Sequence, residues 1–146
     1  MDYGWTAENV ALRQEVRNFI AENITPDVLD ELRLSGEANR GPSEQVRYIS
    51  PLAAEVHKKI AEKGWIGISW PKEYGGQGGS RLDQYIVEEE FSRAGISVGG
   101  AGSGAPAILA AGTEEQKKEF LPGLLKGEIT LALGFTEPQA GADLAG

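Results

Sequence analysis

Few side chains here are equipped for chemistry. The chain has a single histidine, His57, and no cysteine. Disulfides, thiol nucleophiles, cysteine-ligated zinc or iron–sulfur clusters and multi-histidine metal sites are therefore excluded, and any Ser-His triad would have to run through His57. Lys58 and Lys59 follow it on a stretch that reads as helix between Ala53 and Ala61. No neighbour supplies a nucleophile with an orienting partner, so His57 reads as a boundary or exposed residue. Glu88-Glu89-Glu90 is an acidic run. Successive helical residues point about 100° apart, so the three carboxylates cannot converge on one ion, and a solvated face is expected. No metal site emerges.

Glycine accounts for 20 of the 146 residues, about twice the usual ~7%, and most of it falls between Gly64 and Gly104. Gly75-Gly76-Gln77-Gly78-Gly79 lacks the Lys-Ser/Thr ending of a phosphate-binding P-loop and reads as a loop that needs positive φ angles. Gly99-Gly100-Ala101-Gly102-Ser103-Gly104 lacks both the strand before and the continuous helix after that a dinucleotide loop requires. Small residues there permit close helix packing or leave a cavity. Trp65 and Trp70 read as packing residues rather than stacking platforms. Bare chemistry identifies no catalyst.

The elements that would position these residues are helical. Thr6 caps a helix over Thr6–Asn23 whose apolar stripe is Leu12, Val16, Phe19 and Ile20, limited by Pro26. Leu34 to Arg47, with Gly36, Gly41 and Pro42, reads as a polar connection with a helical restart. Ser50-Pro51 is a capping hydroxyl followed by a proline at the first helical position. It opens a helix over Ser50–Lys63 with Leu52, Val56 and Ile60 buried, stopped by Gly64. A third helix is predicted over Arg81–Ala94, with Leu82, Tyr85 and Ile86 on an apolar face and Glu89 and Glu90 on an acidic one. A short apolar helix follows over Ala105–Ala111. Thr113-Glu114-Glu115-Gln116 is a capping box opening a helix over Thr113–Lys126. Phe120, Leu121, Leu124 and Leu125 form its core face, and Pro122 is expected to kink or split it.

Only Ile129 to Phe135 reads as extended, with Thr136-Glu137-Pro138 as the turn that ends it. A lone strand cannot satisfy its own backbone groups. The expectation is an all-α domain over residues 1–128, followed by residues 129–146 as the first strand and turn of an incomplete β domain, or a sheet completed by another chain.

Composition bounds the rest. With 22 acidic and 14 basic residues the formal charge is -8, unfavourable for nucleic-acid backbones or anionic lipid. No apolar run approaches the roughly 18 residues of a membrane span. The N-terminal MDYGWTAENV resembles neither a signal nor a transit peptide, so a soluble cytoplasmic protein is expected.

Three segments together, GWIGISWPKEYGGQGGS at 64–80, GTEEQKKEFLPGLLKGE at 112–128 and LALGFTEPQAGADLAG at 131–146, resemble the N-terminal part of an acyl-CoA dehydrogenase. The last is similar to that family's flavin-binding signature, Thr-Glu-Pro followed by two residues and Gly-Ser-Asp. The resemblance implies a helical N-terminal domain, then a small β-barrel domain and a C-terminal helical bundle. It implies FAD as cofactor and oxidation of an acyl-CoA thioester to trans-2-enoyl-CoA. In that reaction a glutamate base takes the α-proton, the flavin receives hydride from the β-carbon, and electrons pass to an electron-transfer flavoprotein. The base belongs to the family's C-terminal part, beyond Gly146, so no catalytic residue is assigned in this chain. By the same resemblance Leu133 and Phe135 approach the flavin ring, Thr136 bonds its pyrimidine edge, and Gly141 lets the backbone near the diphosphate and substrate. Ala142 stands where the family commonly has serine. It lacks a hydroxyl for phosphate or substrate while keeping its backbone amide, and is assigned to both cofactor and substrate. The small residues Ile96 to Gly104 fall where the family's acyl pocket is partly walled, and would leave room for a branched or ring-bearing acyl group. The complete enzyme is expected to be a homo- or hetero-oligomer. The rival reading is a non-catalytic helical subunit or interaction module that depends on a partner chain.

Overall fold

The computed structural model describes residues 4–38, 50–96, 98, 104–129 and 131. Among them there is no strand, and six α-helices run in the order α1 Ala7–Asn23, α2 Pro26–Ala38, α3 Pro51–Glu62, α4 Arg81–Arg93, α5 Gly104–Ala111 and α6 Glu114–Leu125, with a 3-10 turn at Lys72–Tyr74 between α3 and α4. The chain is all-α where it is described. Most of the predicted strand, 130 and 132–135, lies outside the described residues.

The helices start where capping chemistry says they should. Thr6 and Asn9 form a reciprocal capping box at α1, Ser80 and Asp83 form one at α4, and Thr113 and Gln116 form one at α6. Each box satisfies amides that the first helical turn leaves without an intrahelical partner. The α1 and α4 boxes are joined, because the Asn9 side-chain amide donates to Asp83 at 3.3 Å. Ser50 caps α3 by accepting from Ala53 N at 3.1 Å, and its hydroxyl donates to the Glu31 carboxylate of α2.

Three sequence expectations are corrected. First, α2 runs from Pro26 through Gly36 to Ala38, so the first part of the expected 34–47 connection is helix. Thr25 and Pro26 repeat the Ser50-Pro51 arrangement: the Thr25 hydroxyl accepts from Val28 N at 3.4 Å, and proline at the first helical position needs no amide partner. Second, Pro122 does not split α6. Its carbonyl still accepts a last-turn amide bond, from Lys126 N at 3.2 Å. It removes one donor, toward the carbonyl of exposed Lys118, which water can serve. Third, Leu82 and Tyr85 are exposed, and the buried face of α4 is Ile86, Val87, Glu90 and Phe91.

Two hydrophobic cores result. The first joins Val16 and Phe19 of α1, Val28 of α2, Val56 and Ile60 of α3, Trp65, Ile68, Val87 and Phe91 of α4, Ile96 and Val98. Phe19, Trp65 and Phe91 meet edge to face, with ring centroids 5.1 to 5.9 Å apart, an arrangement worth about 0.5–1.5 kcal/mol per pair beyond area burial. The second joins Trp70, Tyr74, Ala105, Leu121 and Leu124, with Ile108, Leu109, Leu125, Ile129 and Leu131 packed against it.

Between the cores lies the glycine loop. Its amides are tied back to the preceding turn, Gly78 N to Trp70 O and Gly79 N to Ile68 O, both at 2.8 Å. Gly75 and Gly78 take positive φ, as the loop reading expects. At Gly76 a Cβ would stand 2.3 Å from the Trp70 carbonyl oxygen, so only glycine lets the two backbone segments pass.

Candidate functional site

The second core decides where the segment predicted to meet a flavin begins. Trp70 and Tyr74 form one wall, α5 and α6 the others, and the chain leaving α6 closes it. Gly127, at φ 71, stops the helix. The amides of Glu128 and Ile129 then both donate to the Gly123 carbonyl, at 2.9 and 3.4 Å. Ile129 rests on Gly123 of α6, and Leu131 rests on Gly104 at the first turn of α5. The assigned residues Leu133, Phe135, Thr136, Gly141 and Ala142 lie outside the described residues, but covalent connectivity puts Leu133 two residues past Leu131. The small-residue segment Ile96–Gly104 is anchored at both ends. Ile96 and Val98 are buried in the first core and Ala105, next to Gly104, in the second. Residues 97 and 99–103 lie outside the described set.

Beside this junction is an open cleft of about 740 Å³ between the Ser69–Gly79 loop, α4, α5 and α6, with Trp70, Tyr74, Tyr85 and Leu109 as its large apolar walls. Tyr74, Lys117, Ser69, Gln84 and Glu88 on its walls are engaged in hydrogen bonds or ion pairs. The Tyr74 hydroxyl donates to Glu114 at 2.9 Å, and the Lys117 ammonium lies 3.1 Å from Glu114 and 5.8 Å from the Tyr74 ring centroid. The hydrogen bond from Tyr74 holds the Glu114 carboxyl below the usual range, and the same bond pushes the Tyr74 phenol up. Ser69 donates to Gln84, whose amide donates to Glu88 at 2.7 Å. These pairs orient side chains; none sets a base against a nucleophile.

A second set of charges fastens α1 to α4, and it corrects the solvated-face reading for Glu89 and Glu90, while Glu88 is exposed as expected. Glu90 is only 5% exposed and accepts from Arg13 at 2.7 Å and from Arg17 at 2.8 and 3.1 Å. Arg93 lies 3.7 Å from it. Half-buried Glu89 meets Arg13 and Arg93, each at 2.8 Å, and Trp5 covers Arg13 with its ring centroid 4.4 Å from the guanidinium carbon. The Arg17 hydrogen bond, more than any other cause, holds the Glu90 carboxyl below the usual range. The missed signal was on α1, where Arg13 and Arg17 stand four apart on one helix face. With both Glu90 oxygens accepting from arginines, this cluster is a clasp, not a catalytic pair.

His57 is half-buried, as the boundary reading expects, and burial lowers its pKa. Its ring abuts Gly127, where a Cβ would come 3.0 Å from Nδ1. Trp65 and Trp70 are both buried, as packing residues should be. Among the described residues no group of His, Asp or Glu is arranged to hold a metal, and no helix is long and apolar enough to cross a membrane.

Comparison with known proteins agrees with this geometry. The family model described as acyl-CoA dehydrogenase, N-terminal domain, matches residues 6–128. The acyl-CoA dehydrogenase FadE26 of Mycobacterium tuberculosis is 37% identical over 148 residues, a match covering 99% of this chain and 35% of FadE26. The solved structure of the Tcur3481-Tcur3483 steroid ACAD superposes with a TM-score of 0.69 at 41% identity, covering 99% of this chain and 35% of that one. An acyl-CoA dehydrogenase from Bacillus anthracis, solved in complex with FAD, gives a TM-score of 0.66 at 30% identity, covering 94% and 22%. The chain thus spans about a third of the length of the curated relative it matches.

Proposed function

Because the chain belongs to the acyl-CoA dehydrogenase family, we propose that residues 1–128 are the helical N-terminal domain of an FAD-dependent enzyme and that residues 129–146 open its middle β domain. The reaction is the α,β-dehydrogenation of an acyl-CoA thioester to the trans-2-enoyl-CoA, with an electron-transfer flavoprotein as electron acceptor. The observation that carries this reading is the junction at α5 and α6. The chain leaves the domain over Gly123 and Gly104, and the Thr136-Glu137-Pro138 signature follows within a few residues.

The donor set after the junction suits a flavin. Thr136 offers a hydroxyl and an amide to the pyrimidine edge. Leu133 and Phe135 offer apolar surface to the ring, Gly141 a close backbone approach, and Ala142 an amide for a phosphate or the substrate. FAD, when bound, supplies the hydride acceptor. This chain's residues orient it, exclude water beside it and shape the acyl end of the pocket, while the base is supplied from beyond Gly146. For the acyl group we favour a bulky, ring-bearing one. The small residues between Ile96 and Gly104 support it, as does the likeness to a steroid ACAD.

The test uses the full-length protein. It should purify yellow and turn over an acyl-CoA with an artificial dye, with kcat/KM rising across acyl groups of increasing bulk. Thr136→Val should weaken flavin retention by about 1–3 kcal/mol, and Pro138→Ala, which changes only turn rigidity, by less. The 146-residue chain alone should be colourless and inactive, since flavin affinity depends on preorganised contacts. A colourless full-length protein that turns over no acyl-CoA contradicts the proposal. Equal kcat/KM for short and ring-bearing substrates contradicts the substrate class alone.

A further inference from the structure

We draw no further inference here: the strongest candidate, the open cleft between the Ser69–Gly79 loop, α4, α5 and α6 where exposed Tyr85, Pro106 and Ala110 form an apolar face, carries nothing because nothing in the structure shows what covers it.

Discussion

The core around Phe91 closes on itself, whereas the core around Leu121 is completed by the chain that leaves it. In the first, α1 and α4 meet over Val16, Phe19, Val87 and Phe91, all buried, and the contact is fastened outside by Glu90 between Arg13 and Arg17. In the second, α5 is almost wholly apolar, GAPAILAA, yet Pro106, Ala107, Ala110 and Ala111 are exposed, and Ile129 and Leu131 are what cover Gly123 and Gly104. The difference separates a part that holds the fold from a part that hands the chain on toward the proposed site. Elements at functional junctions are drawn from the less stable end of a structure, so the second core is expected to open more readily than the first.

The largest break in this comparison should come from Phe91→Ala. Its ring is fully buried and touches both Phe19 and Trp65, so truncation should cost about 3–5 kcal/mol, read as a lower urea midpoint. A cost below 1 kcal/mol would remove Phe91 from the centre of the first core. Glu90→Gln comes next. It leaves Arg13 beside a neutral amide, and a loss of about 2 kcal/mol is expected, smaller than for a fully buried pair because Arg17 is 47% exposed. Glu88→Gln, on the exposed side of α4, should stay within about 0.5 kcal/mol, and equal costs for the two would reinstate the solvated-face reading.

The smallest effect concerns pH at the boundary between the cores. Burial lowers the His57 pKa in the folded chain, so below the ordinary value near 6.5 the unfolded chain binds more protons. The stabilising share of neutral His57 is therefore complete above that value and is lost as pH falls through the folded one. Glu90, also held below its ordinary value, adds loss in the same direction but at lower pH, beneath the usual carboxylate range. His57→Gln should flatten the stability profile between pH 7 and 5 and leave the acid limb. An unchanged slope in that window would assign the dependence to other groups.

Much of the fold was legible in the chain. Thr6, Ser50 and Thr113 announce helix starts, and stripes such as Val16 and Phe19 or Leu121 and Leu124 name the buried faces, because capping and period-3.6 burial are local rules. What escaped was non-local or ambiguous. Thr25-Pro26 has the same form as Ser50-Pro51, but a proline that opens α2 also reads as one that closes α1. Glu90 is acidic by type and buried by circumstance, and only the approach of Arg13 and Arg17 from another helix decides which wins. Gly104 and Gly123 look like generic small residues until Leu131 and Ile129 are seen lying on them. The segment assigned to the flavin, Leu133 to Ala142, is legible only through its resemblance to the acyl-CoA dehydrogenases, since no residue type within it announces a flavin contact by itself.

Amide hydrogen exchange on this chain and on its Leu131→Ala variant tests the two-core account most directly. Removing the Leu131 side chain should speed exchange in α5 and α6 by at least about tenfold, the signature of a local opening, and leave α1 and α4 at wild-type rates. Equal acceleration in all four helices, or none in α5 and α6, would contradict it.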